Sequence, residues 1–256
     1  MTVETDYEAA ATLHDYLLFH YGSPDQLCDF PFKPPGIENF LQRVVDQLVL
    51  PIEGLSARPK RALDLGCAVG RAAFELSRRV DQVIAIDRSE RLIAAAKELQ
   101  KTGEIAVSRR IEGEIVDQQL VRLDAGYRAT VIEFQEGDAL ALPAALGSFD
   151  IVLMANLVDR VTDPAQLLRK VTMSVRPEGQ LIVTSPYTWL PQFTPRTLWL
   201  AGSSTSAEGR TSFDAMKEIL SSEFSLEDRR DLPFLIREHR RKYQWSVADG
   251  MRWRRR

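Results

Sequence analysis

Cysteine is scarce in this 256-residue chain, and its two copies, Cys28 and Cys67, stand far apart with no metal-ligand spacing. That excludes a disulfide framework and a cysteine-based zinc site. No apolar run approaches the roughly 20 residues that a helix needs to cross a bilayer. The first residues, Met1-Thr2-Val3-Glu4-Thr5-Asp6, lack the basic and apolar regions of a signal peptide. Charge of one sign is missing too: a net charge of −3 gives no global attraction to nucleic acid or anionic membrane. These absences leave a small-molecule partner, without nucleic acid, membrane or metal, and a reducing cytoplasm as the expectations.

What is present is a core-forming chain, 45% hydrophobic, long enough for one large α/β domain. Its organising stretch is Ala62-Leu63-Asp64-Leu65-Gly66-Cys67-Ala68-Val69-Gly70-Arg71-Ala72-Ala73-Phe74-Glu75-Leu76, a short apolar strand, a glycine turn and an amphipathic helix. Gly66 and Gly70 permit a tight turn and close approach of a ligand to the main chain. The helix start offers unpaired N–H groups. The spacing is D-x-G-x-x-x-G rather than G-x-G-x-x-G, and Asp64 at the strand end could receive a cationic ammonium group. A second strand, Val83-Ile84-Ala85-Ile86, ends in Asp87, where a ribose-binding carboxylate belongs in a βαβ unit.

Periodicity places helices over Tyr7–Leu18, Phe40–Leu50, Ser89–Gln100, Pro164–Val175 and Phe213–Leu220, with Ser89 and Asp163 as N-caps. Residues 1–60 then form a helical cap before the first core strand. Residues 101–130 are charged and interrupted, with Ile105–Val107 and Ile115–Val116 as weak strands of an inserted arm or hairpin. The core resumes with Val131–Phe134, whose end carries Asp138 and Ala139. Next come Phe149–Asn156, apolar throughout as a strand buried on both faces should be, and Gln180–Ser185. Strand–helix alternation over 61–185 predicts a doubly wound sheet with its ligand at the strand C-terminal ends. In residues 186–256, Phe234–Arg237 and Tyr243–Val247 alternate like a β-hairpin. The basic end, Arg252-Trp253-Arg254-Arg255-Arg256, reads as a solvated chain end. Its other reading, basic residues interleaved with an aromatic, is a nucleic-acid-binding module.

Over residues 61–185 the chain resembles class I S-adenosylmethionine-dependent methyltransferases. The resemblance implies a Rossmann-like seven-stranded sheet that the C-terminal hairpin completes. It also implies S-adenosylmethionine as cofactor, held by Asp64, Gly66, Cys67, Gly70, Asp87, Asp138, Ala139 and Asn156, with Asp138 receiving the adenine amino group. Cys67 reads as the small residue that the turn needs rather than a nucleophile. A narrower likeness lies in His20-Tyr21-Gly22, Ala62–Arg71, Ala155-Asn156-Leu157-Val158-Asp159-Arg160, Thr184-Ser185-Pro186-Tyr187-Thr188-Trp189 and Arg241-Lys242-Tyr243-Gln244-Trp245-Ser246. These are similar to the ovothiol-biosynthesis methyltransferases, which occur alone or as the C-terminal domain of 5-histidylcysteine sulfoxide synthases. That likeness implies methylation of an imidazole nitrogen of 4-mercaptohistidine, giving ovothiol A. No H-x-x-x-H-x-E-like iron site is present, so the chain would perform the last step beside a separate sulfoxide synthase.

In-line displacement at a sulfonium methyl is carried mostly by positioning, which can contribute about 7–11 kcal/mol. A general base is optional when the attacking nitrogen already holds a lone pair. His20, Tyr21 and Asn156 are the candidate catalytic residues: His20 to hold the far imidazole nitrogen or fix its tautomer, Asn156 to orient the acceptor. Tyr16, Tyr187, Trp189, Arg237, Arg241 and Tyr243 are the candidate substrate residues, the aromatics for stacking and the arginines for a carboxylate. Another acceptor, such as a quinone, a carboxylic acid or a thiol, and a binding-only protein are the competing readings. The Asp87→Ala variant is expected to weaken cofactor binding by removing charge-assisted bonds worth about 1.5–3 kcal/mol each. Unchanged affinity by calorimetry would show that the ribose lies elsewhere.

Overall fold

The computed structural model describes residues 10–52, 58–203 and 209–256. Helix α1 (Ala10–Tyr21) stops at Gly22, whose N–H reaches the Leu18 carbonyl at 2.8 Å. A Cβ on Gly22 would stand 2.5 Å from that oxygen, so no larger residue closes the helix this way. The first residues of the helix expected over Tyr7–Leu18 lie outside the described residues. Helix α2 (Pro24–Leu27) starts with a Ser23/Gln26 capping box, and α3 (Phe40–Leu48) with Asn39 bonded to the Gln42 N–H. Phe40, Leu41, Val44, Val45 and Leu48 bury one stripe of α3, as its i, i+4 spacing requires.

The core then alternates. Strand β1 (Arg61–Leu65) leads to α4 (Arg71–Ser77), β2 (Gln82–Asp87) and α5 (Glu90–Thr102). A hairpin of β3 (Glu104–Glu112) and β4 (Ile115–Arg122) follows, then β5 (Ile132–Glu136), β6 (Phe149–Ala155), α6 (Pro164–Val171) and β7 (Val175–Ser185). Ser89 and Asp163 cap α5 and α6 through the Leu92 and Gln166 N–H groups. The helix expected through Val175 ends at Val171 and passes through one 3₁₀ turn. Pro177-Glu178-Gly179 does not close that helix but belongs to β7. After α7 (Ser212–Leu220), the long strands β8 (Phe224–His239) and β9 (Lys242–Arg255) end the chain.

Seven strands form one sheet in the order β5-β2-β1-β6-β7-β9-β8, parallel except that β9 runs antiparallel to β7 and β8. The chain winds outward from β1 through β2 to β5, then returns to lay β6 against the other side of β1. Connections therefore leave β1 and β6 in opposite directions and open a crevice above their C-terminal ends. Separate apolar clusters cover the two sheet faces, one under the N-terminal helices, α4 and α5, the other under α6 and α7. Among the described residues no helix is long and apolar enough to cross a membrane. Residues 104–122 form the hairpin expected of the arm, and Arg109 joins it to α2 through the Gln26 carbonyl.

The C-terminal end corrects the reading of a solvated tail. Arg252–Arg255 belong to β9, with Leu181 opposite Trp253, which is fully buried. Each arginine is matched: Arg252 with Glu227 at 3.1 Å and the Leu48 carbonyl, Arg254 with Glu227 at 3.0 Å, Arg255 with Glu223 at 3.1 Å. These acids come from β8 and the turn before it, so the charge is spent within the sheet. That removes the feature on which a nucleic-acid-binding module rested. The Trp253→Ala variant is expected to cost about 3–5 kcal/mol, read from urea denaturation. A loss under about 1 kcal/mol would mean that the sheet tolerates an empty site there.

Candidate functional site

A cavity of about 230 Å³ lies in that crevice. Its floor is the end of β1 and its turn (Asp64, Gly66, Cys67, Ala68), with Asp87 and Arg88 from β2 on one side. Ala155, Asn156, Leu157 and Arg160 after β6, and Pro186 and Thr188 after β7, form the other side. Tyr16, Phe19 and His20 of α1 and Leu41 of α3 close it, together with Phe234 and Ile236 of β8 and Gln244 and Ser246 of β9.

The floor is built from backbone in left-handed conformation. Gly66 has φ +71° and Gly70 +88°, and Ala68 adopts +48° although it is not glycine. The Gly66 and Cys67 N–H groups both donate to the Ile86 carbonyl, at 2.8 and 3.1 Å, and the Ala68 N–H donates to Asp87 Oδ2 at 2.9 Å. A Cβ on Gly66 would come 2.7 Å from Leu157, and one on Gly70 2.6 Å from the Phe134 ring. Both glycines are thus required by close packing of the protein on itself, and Gly66 also borders the cavity. Gly70 does not border the cavity.

Two carboxylates meet on this floor. Asp64 is 1% exposed, and its Oδ2 has no hydrogen-bond partner. Burial, reinforced by the negative Asp87 and opposed by the Ala73 N–H, pushes its carboxyl up to about 8. Burial also raises Asp87, although the Ser89 and Ala68 N–H groups donate to its two oxygens. A carboxylate has about four acceptor sites, so Asp87 keeps capacity for hydroxyl groups of a ligand. An orphaned buried oxygen at Asp64 and a second acid beside it are the complement of a ligand that carries a cation and a polyol.

The roof is neutral. His20 is buried, its Nδ1 lacks a partner, and burial together with the nearby Arg71 lowers its imidazole to about 3. Its ring sits among Tyr16, Phe19 and Tyr21, with centroids 5.8, 5.5 and 6.1 Å away. Tyr21 does not border the cavity; its hydroxyl donates to the Val69 carbonyl at 2.7 Å and fastens α1 to the β1 turn. Asn156 carries φ +53°, with its N–H shared between the Thr184 carbonyl (2.9 Å) and Oγ1 (3.1 Å). The Thr184 hydroxyl in turn donates to Asn156 Oδ1 at 2.8 Å, which leaves the amide nitrogen as the donor for a ligand. Asn tolerates this left-handed conformation better than most residues, and here its bonds with Thr184 hold it there.

Of the residues expected from the sequence, Asp64, Gly66, Cys67, Asp87, Asn156, His20 and Tyr16 meet at the cavity, and the others stand apart. Asp138 is exposed beyond β5 and accepts the Leu140 N–H, while Ala139 packs under the opposite sheet face. The Tyr187 hydroxyl donates to Asp249 at 2.8 Å, and the Trp189 indole donates to Ser212 and stacks on Trp199. Arg237 is buried and committed to the Leu27 and Arg110 carbonyls and the Tyr243 hydroxyl; Tyr243 itself donates to the Arg240 carbonyl. Arg241 is exposed at the β8–β9 turn. The reason is parity. Side chains alternate along a strand, and the cross-strand pairs Phe234–Ser246 and Ile236–Gln244 face the cavity while Arg237–Tyr243 faces away. Counting by twos from an apolar residue of the hairpin would have found the right face only if the buried face were known.

Asp64 is also a lever on stability. Its folded carboxyl titrates near 8 against an ordinary 3.8, so the folded state holds the extra proton between those values. Stability from this group is therefore full below about pH 4 and is lost as pH rises through about 8. The Asp64→Asn variant, which cannot lose that proton, is expected to gain stability relative to the parent between pH 5 and 9. Parallel urea curves at both pH values would show that Asp64 is not buried as described.

Residues 63–183 match the sequence family described as a methyltransferase domain. The chain is 29% identical over 133 residues to the ubiquinone biosynthesis O-methyltransferase of Marinobacter nauticus, an alignment that spans 52% of this chain and 47% of that protein. It thus spans about half the length, or less, of the curated relatives it matches. The N-methyltransferase NodS of Bradyrhizobium japonicum, solved in complex with S-adenosyl-L-homocysteine, superposes with a TM-score of 0.51 at 17% identity, covering 95% of this chain and 98% of that one. The [4+2]-cyclase SpnF superposes at 0.58 with 14% identity over 97% and 94% of the two chains. Those likenesses show the fold. Combined with the family match, the seven-stranded sheet and the acid pair above its switch point, they make residues 63–183 a class I S-adenosylmethionine-dependent methyltransferase domain.

Proposed function

We propose that the protein transfers a methyl group from S-adenosylmethionine to an imidazole nitrogen of 4-mercaptohistidine, giving ovothiol A downstream of a sulfoxide synthase activity. The observation that carries this reading is convergence. The scattered stretches similar to ovothiol-biosynthesis methyltransferases supply His20, Asp64, Gly66, Asn156, Arg160, Pro186, Thr188, Gln244 and Ser246, and all of them border one cavity. The relatives' printed acceptors differ from this one, and SpnF, a [4+2]-cyclase, is a reminder that the fold alone does not fix the reaction.

In this reading Asp64 takes the cofactor's ammonium group and Asp87 its ribose hydroxyls, on the β1–β2 side of the crevice. Bound there, S-adenosylmethionine would supply an electrophilic sulfonium methyl group to an acceptor lone pair. The chain's own residues position and exclude. Tyr16, Phe19, Leu41, Phe234 and Ile236 keep water from the transfer point, and the Asn156 amide orients the acceptor. His20 stays neutral down to about pH 3, so it is a poor proton acceptor and a good tautomer holder. Its partnerless Nδ1 offers one hydrogen bond to the acceptor's far ring nitrogen.

Incubation with S-adenosylmethionine and either 4-mercaptohistidine or histidine, read by mass spectrometry, is expected to give a one-methyl gain on mercaptohistidine only. No gain on either, with cofactor binding intact, sinks the acceptor assignment. The His20→Gln variant, which still hydrogen-bonds, is expected to keep most of the turnover, and His20→Phe to lose roughly 10²-fold. Equal loss in both variants would favour a proton-transfer role instead.

A further inference from the structure

Two cations border the cavity, Arg88 and Arg160. Arg88 is exposed and adjoins Asp87 on the β2 side, where the cofactor's ribose is placed above. Arg160 stands at the other end of the crevice, after β6, facing the loop that leaves β7.

Its guanidinium is held by one nitrogen only. Arg160 Nη1 donates to the Asp159 carbonyl at 2.9 Å, to Asp159 Oδ2 at 2.8 Å and to the Thr188 carbonyl at 2.9 Å. Asp159 is fully buried, and its carboxylate also accepts the Ser185 hydroxyl and the Thr188 N–H. The Phe193 ring lies beneath the guanidinium, 5.2 Å from its carbon. The group is thus fixed in place by a buried anchor, with 24% of the side chain exposed.

Among the described residues, Arg160 Nε and Nη2 have no partner. Those two nitrogens form one edge of the guanidinium, with parallel N–H bonds spaced to meet both oxygens of a carboxylate. The same chain uses that edge where a carboxylate is at hand. Arg229 Nε and Nη2 grip the two oxygens of Asp249, each at 2.9 Å, and Arg109 grips Asp117 in the same way. At Arg160 the edge is complete, oriented by Asp159, and unfilled.

Resting on the reading of this cavity as a methyl-acceptor site, we infer that Arg160 is a specificity residue that binds a carboxylate of the acceptor. Asp159 and Thr188 are its positioning partners. The inference moves the carboxylate role from Arg237, which does not border the cavity and whose Nη1 and Nη2 bond to the Leu27 and Arg110 carbonyls, to a residue that borders it. A neutral quinone or phenol would leave this edge unpaired, so the acceptor class is a carboxylic or amino acid.

The test is calorimetry on protein saturated with S-adenosyl-L-homocysteine, using four acids and the carboxamide of each: 4-mercaptohistidine, histidine, anthranilate and 4-hydroxybenzoate. At least one acid is expected to bind tenfold or more tighter than its amide. Arg160→Gln is expected to abolish that preference, costing roughly ten- to a hundredfold in affinity for the acid. Arg160→Lys, which keeps a cation beside Asp159 but loses the paired edge, is expected to fall between, with S-adenosyl-L-homocysteine affinity and melting temperature near those of the parent. If no acid outbinds its amide, or the preference survives in Arg160→Gln, the inference is overturned. If mercaptohistidine is silent while another pair shows the Arg160-dependent preference, the ovothiol reading fails and this inference stands. If mercaptohistidine and its amide bind and are methylated alike, the reverse holds.

Discussion

Asp64 stands one residue before the end of β1 inside the sheet, with one carboxylate oxygen lacking a partner, and Asp87 stands at the end of the neighbouring strand. Burying such a group without compensation is costly, and a protein under no other constraint is as stable with an apolar side chain there. The surrounding architecture concentrates that cost rather than relieving it. Gly66 and Ala68 take left-handed turns that keep the β1 loop tight over β2, and the Ala68 N–H is spent on Asp87 rather than Asp64. A cationic ligand would relieve what the chain itself leaves unsatisfied.

Charge is divided along the crevice. The acids and the exposed Arg88 stand on the β1–β2 side, an anchored arginine on the β6–β7 side, and a histidine that burial keeps neutral in the roof. That division follows from strand order, because β2, β1, β6 and β7 are consecutive in the sheet and each contributes its C-terminal end. The roof is tied down separately. Tyr21 bonds to the β1 turn, and the buried Arg71 pairs with Glu75 at 2.7 Å and reaches Asp124 beyond the arm at 3.2 Å. The Tyr127 hydroxyl donates to the same Glu75 at 2.6 Å. One buried arginine thus links the cap, the first core helix and the segment after the inserted hairpin, and its charge also helps hold His20 neutral.

The C-terminal strands have two functions. β9 supplies Trp253 to the core at one end and Gln244 and Ser246 to the cavity wall at the other. The same ladder that buries the basic residues of the chain end against Glu223 and Glu227 sets the register that turns Phe234 and Ile236 toward the cavity. A shift of one residue in that register would exchange Ile236 and Gln244 for Arg237 and Tyr243 at the wall.

Much of the fold was legible because its signals are local. The apolar runs of Leu63–Leu65 and Ile151–Met154, the capping residues Ser89 and Asp163, and the glycine turn each depend on neighbours within a few positions. The floor of the site was legible for the same reason, since Asp64 and Asp87 sit at strand ends that the sequence marks. What lay beyond it was decided by contacts distant in the chain. Whether Arg252–Arg255 were solvated depended on acids more than twenty residues earlier. Whether Arg237 or Arg160 faced the cavity depended on the parity of one strand and on a buried Asp159 that accepts from two loops. Sequence alone determined the order of strands and helices and the acids at their ends, because backbone propensity and hydrophobic period are short-range. Tertiary structure alone decided which side chains share the cavity, because alternation offers two faces and only packing selects one.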